Sequence, residues 1–249
     1  MWAWHGRTEH SRTQERGGRM RTAFTEELRF ISDQLVEMTR LASEALDRAT
    51  NALMTSDLEL AEAVISADEQ IDIVRRDLDT RAVDVLARQQ PVATDLRRLV
   101  MSMRMSSDLE RMGDLARHVA KLTRLRYPRP VLPEELKPTF ARMAEVAEEL
   151  VTEAGRIIRE NDVEAVPRLL VTDDEMDELH RAVFRILLDD DWTGGVEPAI
   201  DATLLSRYYE RFGDHAVSIA QRVVYLVTGE WAEEELHIEE RMDVPETKR

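Results

Sequence analysis

Apolar residues recur at helical spacing along most of the chain. From about residue 22 to 55, Phe24, Leu28, Ile31, Leu35, Met38, Leu41, Ala42, Ala45, Leu46, Ala49 and Leu53 fall on one stripe. That pattern predicts a first long amphipathic helix. Ser56 or Asp57 can cap a second, which runs to about Gln89. Pro91 ends it and opens a third helix over roughly 92–126. Tyr127-Pro128-Arg129-Pro130-Val131-Leu132-Pro133 cannot be helical and reads as a linker near mid-chain. The pattern then runs again. A fourth helix is expected over about 134–160, and a fifth from Asn161 or Asp162 to about Asp190, with a kink or fresh start at Pro167. After the turn Trp192-Thr193-Gly194-Gly195, a sixth spans about 197–228 and is closed by Gly229. Connections this short set consecutive helices antiparallel. The expected fold is all-α: two tandem antiparallel three-helix bundles, residues 20–126 and 134–229, related by an internal repeat.

The two ends differ from this body. Residues 1–19 show no apolar period, carry four Arg against two Glu, and contain Gly17-Gly18, so a disordered extension is expected. The tail 230–249 has eight acids against three bases and is expected to be frayed or partly helical surface.

Composition narrows the function. With 5% aromatic and 34% charged residues, the chain has helix-rich usage and lacks the runs an all-β protein needs. A net charge of −16 argues against nucleic-acid binding, which needs clustered Lys and Arg. The absence of cysteine excludes a disulfide scaffold, a thiolate metal site and a cysteine nucleophile, and fits a reducing cytoplasm. The apolar run Val223–Val227 is too short to span a bilayer, and no signal-peptide core follows Met1. A soluble cytoplasmic protein without a membrane span is expected.

Charged residues interrupt the buried stripes at matching places. In the second helix Asp68 and Asp72 lie among Ala61, Val64, Ile65, Ile71 and Leu78. In the fifth, Asp173 and Asp177 take the same places, with Met176 for Ile71. In the third, Glu110-Arg111-Met112-Gly113-Asp114 follows Leu96, Leu99 and Met103, and the sixth repeats it as Glu210-Arg211-Phe212-Gly213-Asp214. Carboxylates four apart share one helix face. A glycine between them gives up about 1 kcal/mol of helix propensity, so something must approach closely there.

Each half thus offers four carboxylates from neighbouring helices. Burying them together is costly unless they protonate, pair with Arg or bind a hard cation. Arg75, Arg111, Arg117 and Arg211 are candidate partners. Most charged pairs four apart are solvated helix faces. Their position on the apolar stripe, in both halves, favours a metal instead, with all-oxygen ligands suiting magnesium, calcium, manganese or iron. Asp177-x-x-His180 imitates part of a di-iron bundle motif, but the first half has Arg75 opposite His180. There is no phosphate-cradling glycine loop, nucleophile elbow or HExxH, so no catalysis is expected.

These residues carry a family resemblance. Pro91-Val92-Ala93-Thr94-Asp95-Leu96-Arg97, leading to Asp108-Leu109-Glu110-Arg111-Met112-Gly113-Asp114, resembles the PhoU proteins. Leu204-Leu205-Ser206-Arg207-Tyr208-Tyr209-Glu210-Arg211-Phe212-Gly213-Asp214-His215-Ala216 is especially similar to their actinobacterial form. The similarity covers about Met20 to Gly229. It implies tandem three-helix bundles that bind multinuclear metal clusters on repeated carboxylates. By motif, Asp68, Asp72, Glu110 and Asp114 would hold one cluster, and Asp173, Asp177, Glu210 and Asp214 the other. The metal would be iron, zinc, magnesium or manganese. The resemblance further implies a homodimeric, non-enzymatic negative regulator of the phosphate regulon. Its partners would be the ATPase subunit of the phosphate ABC transporter and a phosphate-sensing histidine kinase. The alternatives are a di-iron carboxylate bundle (oxidase or iron storage) and a plain helical scaffold.

Overall fold

The computed structural model describes residues 7–231, with side chains from Phe24 onward. Its regular elements are all helical: α1 (Arg7–Thr55), α2 (Leu58–Ala67), α3 (Glu69–Gln89), α4 (Thr94–Arg126), α5 (Lys137–Glu160), a 3-10 turn at Val163–Ala165, α6 (Val166–Leu187) and α7 (Val196–Thr228). α1, α2–α3 and α4 build the first bundle; α5, α6 and α7 build the second.

Two boundaries depart from the sequence expectation, and a third follows it. α1 begins at Arg7, whereas residues 1–19 were expected to be disordered. The stretch 7–16 is rich in Arg, Glu and Gln, and extending an existing helix needs no new nucleus. Residues 1–6, and the tail after Trp231, lie outside the described residues. The second helix is split into α2 and α3 at Asp68, where the Ile71 N–H donates to the Asp68 carbonyl at 3.1 Å. This bond, from i+3 to i, tightens the turn and makes Asp68 a corner facing α4. At the fifth helix, Asp162 accepts from the Glu164 N–H and caps the 3-10 turn, and α6 starts afresh with Pro167 in its first turn. Pro fits there because the first N–H groups of a helix need no intrahelical acceptor.

Other ends follow the local chemistry. Asp57 accepts from the Leu60 N–H at 3.0 Å and caps α2. Gly229, at φ 83°, closes α7 by donating its N–H to Tyr225. The proline segment after α4 is no loose tether, since Val131, Leu132 and Leu136 are buried.

The bundles also share one continuous core. α1 packs against both α4 and α5, and α7 against both α4 and α5, so four helices form a central layer. Within it the Tyr209 hydroxyl lies 2.7 Å from Thr50 Oγ1, and burial pushes the phenol above its usual range. α4 and α7 run antiparallel. Asp108 meets His215 and Arg222, while Arg126 meets Asp201 further along.

Candidate functional site

Helix spacing places each carboxylate pair on one face, and the glycine beside it lets the neighbouring helix approach. A Cβ at Gly113 would come within 2.6 Å of Ile71 Cδ1 and 3.6 Å of Asp68 Oδ1. At Gly213 it would meet Asp173 Oδ1 at 2.9 Å. The close approach inferred from the two glycines is therefore that of α3 on α4 and of α6 on α7. In each half it delivers an aspartate to the helix carrying Glu and Asp.

In the first bundle the four carboxylates come within electrostatic reach of one another. Burial pushes Asp68 above the usual carboxylate range; Arg117 opposes this, while Asp114 and Asp72 add to it. Burial likewise raises Glu110, aided by Asp114 and Asp72 and opposed by Arg75 and Arg111. Among them stands a guanidinium. Arg117 Nη1 donates to Asp68 Oδ2 at 2.5 Å and Nη2 donates to Asp114. Arg75 Nη1 lies 3.7 Å from Glu110, and the exposed Arg111 lies 3.9 Å from it. Although Arg117 is bonded to Asp68, burial outweighs it.

The second bundle is arranged differently. Asp173 and Glu210 are buried, at 8% and 5% exposure, and Asp177 and Asp214 are half-buried. Glu210 accepts from Arg207, an exposed residue one turn earlier that sequence reasoning had passed over. Its counterpart in the first half is Ser107, so the repeat gave no hint of it. His180 is held below its usual pKa by burial and by Arg207, against Asp177 and Asp214. Its Nδ1 lies 3.0 Å from Ser206 Oγ, so a neutral imidazole sits at the edge of the cluster.

Among the described residues no three Asp, Glu or His groups stand close enough to hold one metal ion as the side chains are placed. The halves nevertheless differ in how well they suit one. In the first, Arg117 already answers two carboxylates, and the donor set does not fit a cation without displacing it. In the second, an all-oxygen donor set suits a hard cation. The pair of Arg207 with Glu210, three residues apart and with its Arg half exposed, is of a kind that costs little to break.

Sequence reasoning missed the polar contacts between the bundles. Arg222 Nε donates to Asp108 at 2.7 Å and His215 Nδ1 lies 3.2 Å from the same carboxylate. Burial pushes Asp108 up, but these two partners outweigh it and hold the carboxyl below its usual range. Arg126 binds Asp201 through two bonds at 2.6 and 2.9 Å and also reaches Glu197. None of these residues repeats between the halves, so the internal comparison gave no signal for them. No helix among the described residues is long and apolar enough to cross a membrane.

Comparison with known proteins agrees with this geometry. The PhoU domain profile matches residues 35–123 and 140–223, one match per bundle. The phosphate-specific transport system accessory protein PhoU homolog 2 of Mycobacterium tuberculosis is 48% identical over 210 residues, covering 84% of this chain and 99% of that protein. PhoU homolog 1 of Mycobacterium leprae is 46% identical over 216 residues, covering 87% and 97%. Among solved structures, the phosphate transport system regulatory protein PhoU from Streptococcus pneumoniae matches at 26% identity with a TM-score of 0.75, covering 84% of this chain and 99% of that one. PhoU from Pseudomonas aeruginosa matches at 29% identity and 0.73, covering 83% and 100%.

Proposed function

Since this chain belongs to the PhoU family, we propose that it is a cytoplasmic, non-enzymatic accessory protein of phosphate transport. It restrains the phosphate-starvation response when phosphate is plentiful. The observation that carries this reading is the doubled carboxylate constellation, set on helices that the two bundles hold in register. It offers charge and surface but no nucleophile, phosphate loop or acid–base pair, so the protein acts by docking. Its partners are the ATPase subunit of the phosphate ABC transporter and the cytoplasmic part of a phosphate-sensing histidine kinase, and it works as a homodimer. Acidic helices that meet basic partner surfaces gain association rate and specificity from charge.

Asp173, Asp177, Glu210 and Asp214 are the residues that would hold a metal ion, of the iron, zinc, manganese or magnesium kind. The ion would supply positive charge to a buried carboxylate face. In the first bundle Arg117 supplies that charge in place of a metal.

Deleting the gene and reporting a starvation promoter in phosphate-rich medium tests the reading. The promoter is expected to stay on and the cell to overaccumulate phosphate. Normal repression, in a genome without a second copy, would exclude it.

A further inference from the structure

Where α6 turns into α7, five large apolar side chains face solvent. Phe184 on α6 and Leu188 just past its end are 38% and 81% exposed, and Val196, Ile200 and Leu204 on α7 are 76%, 54% and 43% exposed. They lie together. The contact of His180 with Ser206 sets the register of the two antiparallel helices. His180 meets the Phe184 ring edge-on at 5.0 Å, which places Phe184 level with the stretch between Ile200 and Leu204. One turn further on, Leu188 comes level with the start of α7. Several large apolar side chains exposed at one end of a bundle are uncommon on a surface that binds nothing.

The first bundle supplies an internal control. At the repeat-related positions it carries Asp79, Val83, Leu96, Val100 and Arg104. Two of the five are charged there, and Asp79 is engaged by Ser106 and Arg75. Val83 and Leu96 are exposed there too, at 54% and 42%, but no apolar side chain stands in for Phe184 or Leu204, so those two are not needed for the helix pair to fold.

The charges around it select the occupant. From Phe184 to Leu204 the chain has five acids against one Arg, Arg185, which lies 3.8 Å from Glu178. Two of these, Glu197 and Asp201, are taken by Arg126, which leaves Asp189, Asp190 and Asp191 exposed at the tip. A second copy would bring the same three acids, setting like charge against like. We propose that the α6–α7 tip is a docking face for an amphipathic helix of a partner protein, whose apolar stripe covers Phe184, Ile200 and Leu204 and whose basic end meets Asp189–Asp191. The proposal rests on no metal ligand and stands apart from the phosphate reading.

Three labelled helical peptides of about 18 residues serve as probes. One has a leucine stripe with Lys at its ends, one has the stripe with Glu ends, and one is a scrambled form of the first. Anisotropy is read against the full chain. The Lys-ended stripe is expected to bind in the micromolar range, and the other two at least about tenfold more weakly. Phe184→Asp with Leu204→Arg installs the first bundle's own residues and should weaken binding about tenfold at an unchanged thermal midpoint. Should that pair perturb folding, Ile200→Lys reads out the same face. Absence of binding, equal binding by the variants, or equal binding of the scrambled peptide would overturn the proposal. So would a dimer in sedimentation equilibrium that the same substitutions abolish, since the occupant would then be a second copy.

Discussion

Between Asp68 and Asp114 of the first bundle stands Arg117; at the matching place in the second bundle α7 carries Val217. Glu110 faces Arg75, whereas Glu210 has His180 at that corner and takes Arg207 from its own helix instead. Eight carboxylates of one pattern are therefore balanced in two ways. The first bundle neutralises them with guanidinium groups fixed by the fold. In the second, Asp173 and Glu210 are buried, Glu210 accepts from the exposed Arg207, and a histidine held neutral stands at the edge of the cluster. A repeated motif thus guarantees repeated geometry but not repeated charge balance, because the balancing residues lie off the motif.

The largest effect expected from this difference is at the guanidinium. Arg117→Ala leaves two half-buried carboxylates uncompensated beside Asp72, and should cost about 2–3 kcal/mol, read by chemical denaturation. Manganese added to that variant should recover part of the loss. Val217→Ala should cost about 1 kcal/mol or less, and manganese should stabilise it no more than it stabilises the unaltered protein. Equal losses at the two positions would mean that Arg117 is only packing.

Metal content separates the halves next. Asp214→Ala should lower bound metal by about one site in protein purified without chelator, while Asp114→Ala should leave it unchanged. Mass spectrometry under native conditions reads both. Loss of a site from Asp114→Ala would place an ion in the first bundle and break the comparison.

The smallest effect is at the glycines. A methyl at Gly113 meets the flexible end of Ile71, so helix propensity can offset the contact and Gly113→Ala should be near neutral. At Gly213 it meets the Asp173 carboxylate at 2.9 Å and Leu150 at 3.1 Å, so Gly213→Ala should lose about 1 kcal/mol. Thermal midpoints of the two variants, measured side by side, check the sign.

Sequence alone determined the helices, the repeat and the eight carboxylates. Each follows from local spacing: a 3.6-residue period, a proline at a first turn, an aspartate before a helix, a Glu and Asp four apart. The stop at Gly229 and the cap at Asp57 were legible for the same reason, since a cap joins residues a few positions apart. The split at Asp68 was not, because the apolar period runs through it and no Gly or Pro marks it. Only the tertiary structure decided that the bundles fuse through α1, α4, α5 and α7 and that the proline segment is buried. It also decided that Asp108 joins His215 and Arg222 across the junction, and that Arg117 bonds both Asp68 and Asp114. Those pairings join residues far apart in the chain, whose meeting is set by how whole helices pack, and no local period carries that information.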